Sequence, residues 1–158
     1  MLNLEPVSDA PGEAIGQRFL EFLNQYREAD SEVYAKLVDK MVINEKTSLI
    51  VNMNHLQNWE DLRQYVYSDF YRFEPYLSRA VKTFITDKHP DYAREKTFSV
   101  GFSHHQNVGT LRDLSATQVG TLMALSGTVT RTTEVRPELL YASFRCTACN
   151  TVVADVAQ

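Results

Sequence analysis

The chain of 158 residues carries 16 Lys and Arg against 20 Asp and Glu, a formal net charge of -4, and 44% of its residues are hydrophobic. That balance suits one or two small globular domains and argues against an autonomous DNA-binding domain, which is usually basic. No apolar run approaches the roughly 18 to 20 residues of a membrane span, and MLNLEPVSDAPGEA lacks the basic-then-apolar pattern of a secretory signal, so no membrane partner is expected.

In chain order, a flexible leader is expected over residues 1–12, irregular to about Asp9, followed by a helical subdomain over 13–103. Ile15, Phe19, Phe22, Leu23 and Tyr26 form one apolar stripe at helical period. Tyr34, Leu37, Val38 and Met41 fit a second, shorter helix. Leu49, Val51 and Met53 alternate with Ile50, Asn52 and Asn54 as a strand, which Asn54 to Asn58 ends. From Trp59 to Phe84 the residues Leu62, Val66, Phe70, Phe73, Leu77, Val81 and Phe84 keep a period near 3.6, interrupted by Pro75. A proline removes one helical hydrogen bond and crowds the preceding turn, which predicts two helices with a break near Glu74 and Pro75 in the first turn of the second. His89 and Pro90 end that helix, and Phe98, Val100 and Phe102 alternate as another strand. The polar run HHQNVGT, residues 104–110, is the expected boundary between subdomains.

Beyond it, residues 111–158 read as strand-rich. Ser115 can cap a short helical turn over Ala116 to Val119, with Gly120 as its left-handed stop. Met123 to Thr130 alternates as a half-buried strand, with Gly127 marking a bulge, a sharp bend or a close backbone approach. Arg136 and Pro137 mark a turn, and Leu139 to Cys146 alternates as a second strand. Bent strand, turn, strand is how an oligonucleotide-binding (OB) barrel opens, although other antiparallel sheets begin the same way. The expected class is therefore α+β: a helical subdomain, then strands that open an OB-type barrel or another antiparallel sheet.

Two cysteines, Cys146 and Cys149, are spaced as Cys-x-x-Cys, with Asn150 placed where a zinc knuckle needs a residue tolerant of positive φ. The following TVVADV reads as a strand, whereas a thioredoxin-like dithiol would open a helix, so the pattern favours zinc over redox chemistry. Structural zinc takes four ligands. The histidines, His55, His89, His104 and His105, all lie upstream, and adjacent His104 and His105 would point to opposite faces of an extended chain. The pair is read as half a site. Arg131 and Arg136 are the candidate DNA contacts, since guanidinium groups on the strand face and in the turn can hold phosphates; the competing reading is a solvated charge paired with Glu134 or Glu138. Tyr141 can stack on a base or pack against a neighbouring subdomain.

The ordered string LRDLSATQVGTLMALSGTVTRTTEVRPELLYASFRCTAC strongly resembles the N-terminal region of the minichromosome maintenance family, the ring-forming replicative DNA helicase subunits. Leu111, Arg112, Leu114, Gly120, Gly127, Val129, Arg131, Val135, Pro137, Glu138, Leu139, Phe144, Cys146 and Cys149 carry the match, and residues from about Ala14 to Ile85 look like the helical subdomain that precedes the barrel. VRPELLYASF followed by CTACNTVVADVAQ looks most like the subunit-six type. The sequence departs from that type in having no second cysteine pair, no remaining barrel strands, and Ala157 where an acidic residue is usual.

The resemblance implies an N-terminal part of a hexameric helicase subunit, working in the nucleus in DNA replication initiation and duplex unwinding through DNA binding and ring assembly. It implies single- or double-stranded DNA and the other subunits of a hetero-hexameric ring as partners. Arginines of this region help grip DNA in the family, which carries over to Arg131 and Arg136, and a second cysteine pair further along would complete a zinc site with Cys146 and Cys149. No Gly-x-x-x-x-Gly-Lys-Ser/Thr, Gly-x-Ser-x-Gly or His-Glu-x-x-His is present, so no catalytic residue is expected in this chain. ATP and magnesium belong to a motor domain expected C-terminal to this region, which makes the chain read as a truncated piece. The rival classes are a stand-alone zinc-knuckle interaction module unrelated to helicases and a small dithiol redox protein.

Overall fold

Helix α1 (Ala10–Gln25) starts inside the expected leader, so residues 10–12 are its first turn rather than flexible chain. Pro11 fits there because an N–H in that turn has no helical partner to lose. Arg72 anchors the entry by donating from Nε and Nη2 to the two carboxylate oxygens of Asp9, at 3.1 and 2.8 Å. The stripe Ile15, Phe19, Phe22, Leu23 is buried as its spacing predicts. The computed structural model describes residues 9–94 and 96–157, so the rest of the expected leader, residues 1–8, lies outside the described residues.

A small hairpin, not anticipated in the sequence, follows: β1 (Arg27–Glu28) pairs antiparallel with β2 (Ser31–Glu32) across Ala29 and Asp30, at φ 48 and 60°. Two consecutive positive φ values match the twist of a tight hairpin. Helix α2 (Val33–Ile43) buries Tyr34, Val38 and Met41. Its end is closed by Glu45 at φ 53° and by the Lys46 N–H donating to the Met41 carbonyl at 2.9 Å.

Strand β3 (Ser48–Asn52) begins and ends one residue before the expected Leu49–Met53. Met53, expected in the strand, begins a 3-10 turn, Met53–Leu56, because the Asn52 side chain accepts the Asn54 N–H at 3.0 Å and bends the chain there. Two helices do occupy the long periodic segment, α3 (Glu60–Ser68) and α4 (Phe70–Lys88), but the break falls at Asp69, not near Glu74. Pro75 lies inside α4. The carbonyl it leaves without a donor belongs to Tyr71, which is 84% exposed, so water can satisfy it. Asp69 leaves the helical region at φ -133° and its carbonyl accepts the Arg72 and Phe73 N–H groups, restarting the helix. A short α5 (Pro90–Ala93) leads to β4 (Ser99–Ser103), which pairs parallel with β3 over all five residues.

The polar run expected as a boundary instead contains β5 (Val108–Gly109), paired parallel with β6 (Ala124–Leu125). Ser115 and Gln118 form the expected capped turn at Ala116–Gln118, and Gly120 has φ 87°. The turn is fastened to the α3–α4 junction. Leu122 N–H donates to the Tyr67 carbonyl at 3.0 Å and Tyr71 N–H donates to the Gly120 carbonyl at 3.1 Å, so one group orphaned at each helix end finds a partner. His105 adds to this, its Nε2 lying 3.2 Å from the Leu122 carbonyl and its ring edge-on to Tyr67. These ties put the division between the two compact units of the chain at Gly127 and Thr128, beyond the polar run.

The first unit has one core, in which Phe19, Phe22, Val38, Val51, Leu56, Val66, Leu77, Val81 and Ile85 are wholly buried. Burial of each such side chain contributes about 1.5–3 kcal/mol, which makes this core the main source of stability. The expected strand Met123–Thr130 does not persist past Leu125, and in the second unit Thr128–Leu140 has no regular structure. An extended segment keeps strand geometry only where a ladder holds it, and here β5 offers two residues. A Cβ at Gly127 would meet nothing within 4 Å, so no close approach explains that glycine. Strands β7 (Tyr141–Arg145) and β8 (Val152–Ala157) form an antiparallel hairpin with a bulge between Ala142 and Phe144. Helix and strand are thus mixed as the sequence predicts, and no barrel closes among the described residues. No helix among them is long and apolar enough to cross a membrane.

Candidate metal half-site and nucleic-acid interface

Cys146 and Cys149 occupy the tight reversal between β7 and β8. The Asn150 N–H donates to the Cys146 carbonyl and the Cys146 N–H donates to the Thr151 carbonyl, both at 2.9 Å. Asn150 has φ 57°, the left-handed conformation its position in the motif predicts. Both thiols are free and exposed. Cys149 Sγ donates to Thr151 Oγ1 at 3.2 Å. In the thiolate form the Thr151 hydroxyl turns to donate to the sulfur, and with the Thr151 backbone N–H and Cys146 assisting it lowers the Cys149 thiol to about 7. Thiolate is the metal-binding form, so the chemistry of the donor set fits a soft, tetrahedral cation. Thr151 is the residue sequence reasoning missed: a hydroxyl two positions after the second cysteine is the one signal that points to it.

A tetrahedral structural site needs four ligands, and this pair would offer two. Among the described residues, no three His, Cys, Asp or Glu side chains gather as a metal site. Each histidine is engaged in the first unit. His55 lies at 3.0 Å from the Tyr34 hydroxyl, His89 at 2.8 Å from Asp39, His104 at 3.2 Å from Ser103, and His105 beside Leu122.

Arg131 and Arg136 are both exposed, within the irregular stretch Thr128–Leu140. Among the described residues, neither forms an ion pair with Glu134, Glu138 or any other carboxylate. Arg145 and Tyr141 are exposed at the two ends of β7. No hydrogen bond joins the arginines to the cysteine reversal, so the candidate phosphate contacts and the candidate metal ligands are separate features of one small unit.

A helical unit followed by a strand region that ends in a Cys-x-x-Cys hairpin has the makings of an N-terminal module with an OB-type continuation. Comparison with known proteins makes this specific: residues 16–104 match the MCM N-terminal domain and residues 110–158 the MCM OB domain. The chain belongs to the minichromosome maintenance (MCM) family. It is 36% identical to the DNA replication licensing factor MCM6 of Oryza sativa subsp. indica, over 89% of this chain and 18% of the relative. It is 34% identical to the zygotic DNA replication licensing factor mcm6 of Xenopus tropicalis, over 98% of this chain and 19% of the relative. With the Schizosaccharomyces pombe DNA replication licensing factor mcm6 it shares 31% identity, over 96% of this chain and 20% of the relative. The chain therefore spans about a fifth of the length of these curated relatives. A stand-alone knuckle module unrelated to helicases does not account for matches that run from residue 16 to residue 158. The family division falls between residues 104 and 110, whereas packing divides the chain at Gly127, because residues 110–127 are hydrogen-bonded onto the helical unit.

Proposed function

We propose that this chain is the N-terminal part of a subunit of a hexameric replicative DNA helicase, acting in the nucleus in replication initiation and duplex unwinding through DNA binding and ring assembly. The observation that carries the reading is the pair of consecutive MCM domain matches covering residues 16–104 and 110–158, joined to relatives named as replication licensing factors. Other subunits of the same family are the partners this reading gives the chain. ATP and magnesium belong to the motor domain of such a helicase, and no residue described above would hold them.

In this reading Arg131 and Arg136 hold phosphates. They sit on irregular backbone that can follow a strand, and neither is already committed to a carboxylate. Guanidinium groups position the backbone without reading sequence. Because the whole chain has a charge of -4, binding by one copy is weak and strongly salt-dependent, and subunits around a ring would pool the contribution. Cys146 and Cys149 would hold zinc, which when bound supplies a structural cross-link and no chemistry. The chain's own part is to present two thiols on one short reversal, fixed by Asn150 and Thr151.

Binding of unrelated single-stranded oligonucleotides tests the arginines. Losing two phosphate contacts should reduce the slope of log K against log salt by about 1.4, because each contact to a single strand contributes roughly 0.7. Arg131→Ala with Arg136→Ala is expected to produce that reduction equally for every sequence. An unchanged slope and affinity would remove both residues from the interface.

A further inference from the structure

The edge of β3 turned away from β4 is open. Ser99 N–H donates to the Thr47 carbonyl at 3.0 Å, and in a parallel ladder this commits the backbone groups of Leu49 and Val51 to β4 and turns those of Ser48 and Ile50 outward. Among the described residues, no hydrogen-bond partner meets those outward groups. One end of the edge is bounded, because the Asn52 N–H donates to the Tyr34 hydroxyl. Along the edge runs a groove of about 180 Å³, walled on its far side by Leu37, Lys40 and Met41 of α2 and closed near the turn by Lys46. Its floor is apolar, with Met41 and Leu49 buried and Ile50 52% exposed. Among the described residues, two lysines and no carboxylate line it, in a chain whose overall charge is -4.

We propose that this groove binds an extended acidic peptide by strand addition to β3. The outward N–H and C=O groups of Ser48 and Ile50 supply the ladder, the apolar floor takes alternate side chains, and Lys40 and Lys46 select carboxylates on the peptide. The occupant follows from charge: in a chain of net negative charge, a cationic groove beside unpaired backbone favours an acidic strand over a basic or neutral one. Self-pairing through this edge is disfavoured by the same lysines, which meet one another when two copies approach edge to edge. The site is independent of Arg131, Arg136 and the cysteine reversal, so it stands or falls separately from the proposed DNA contacts.

The test titrates the 15N-labelled chain with a capped seven-residue peptide of alternating Glu and Val. Two controls are the same peptide with Lys in place of Glu, and the Glu peptide with alternate amides N-methylated to remove its ladder donors. The acidic peptide should shift the amides of residues 47–52 and 37–44 and saturate. The N-methylated peptide, or the variant Lys40→Glu with Lys46→Glu, should weaken binding at least about tenfold, or about 1.4 kcal/mol. Should that variant lose its folded spectrum, Lys40→Gln with Lys46→Gln replaces it, with a weakening of severalfold expected. Equal binding of the Lys peptide, insensitivity to N-methylation, shifts confined to other residues, or no saturation by about 1 mM each overturns the proposal. Concentration-dependent shifts of residues 47–52 without peptide would give the edge to a second copy and overturn it equally.

Discussion

His55 is held between two tyrosines. Its ring stacks on Tyr26 at 4.3 Å between centroids, and its Nδ1 lies 3.0 Å from the Tyr34 hydroxyl. Burial raises the pKa of that hydroxyl, so near neutral pH it stays protonated and can donate to Nδ1 where that nitrogen carries no proton, or accept from it where it does. Burial also lowers the His55 pKa from its ordinary 6.5, with Glu28 opposing and His104 adding to the effect. A lowered folded value means that the unfolded chain binds more protons as pH falls through about 6.5, so the contribution of His55 is complete above that pH and declines below it, levelling off once pH passes the folded value. Wild type should therefore lose stability relative to His55→Gln between pH 7.5 and 5, measured as the difference in urea midpoint. A difference that does not vary with pH would remove His55 as a titrating group. Residue-scale features of this kind were unevenly legible in the sequence. Asn150 was readable because a Cys-x-x-Cys reversal restricts which residue can follow it, whereas the stacking of His55 sits beside a hairpin whose Ala29–Asp30 turn lacks the glycine that usually marks such a turn.

Among the elements, the legible ones are those whose burial is periodic. The stripe of α1 and the alternation in β3 and β4 repeat a contact at fixed spacing, so sequence alone gives them. The α3–α4 break was misplaced because Pro75 is the loudest local signal, while the true break rests on a carbonyl at Asp69 that no side chain advertises. The parallel pairing of β3 with β4 is invisible for another reason: neither strand records its partner, and the two are separated by three helices. At the cysteine hairpin the motif was legible and the ligand count follows from it. Two thiolates close half a tetrahedral site, and the energy of structural zinc depends on all ligands closing around it. The 158-residue chain should therefore hold tight zinc at one metal per two chains, with the mass doubling in parallel, and Cys146→Ser should abolish both. Tight one-to-one zinc in a monomer would show that a histidine completes the site and would end the half-site reading.

At the scale of the molecule, stability is unevenly distributed. The first unit buries a continuous aromatic and aliphatic core, whereas Phe144 and Val153, paired across β7 and β8, are both more than half exposed. A two-stranded hairpin is marginal by itself, and few buried contacts hold this one. Amides of β7 and β8 should exchange with solvent at least about 100-fold faster than those in the middle of α4, which hydrogen exchange with residue resolution measures. Equal protection would show that the hairpin has a cover the fold does not provide. In the sequence, residues 104–110 read as a boundary because they are polar, and the capped turn and alternation that follow read as the start of a barrel. The attachment of residues 104–127 to the helix junction comes from backbone groups of Gly120 and Leu122, which composition does not encode.

The parallel pairing of β3 and β4 also sets an order of events during synthesis. Ser48 and Ser99 are 51 positions apart, so β3 leaves the ribosome long before its ladder partner β4 exists. At roughly 5–20 residues per second, that wait is about 3–10 seconds. During it both edges of β3 are unpaired, and the apolar side chains of Leu49 and Val51 have only the already made α1 and α2 to shelter them. The nascent chain must therefore hold its first two helices together as a provisional core, and a codon change that slows the stretch between Asn54 and Phe98 would lengthen the interval in which that core is exposed to misassociation.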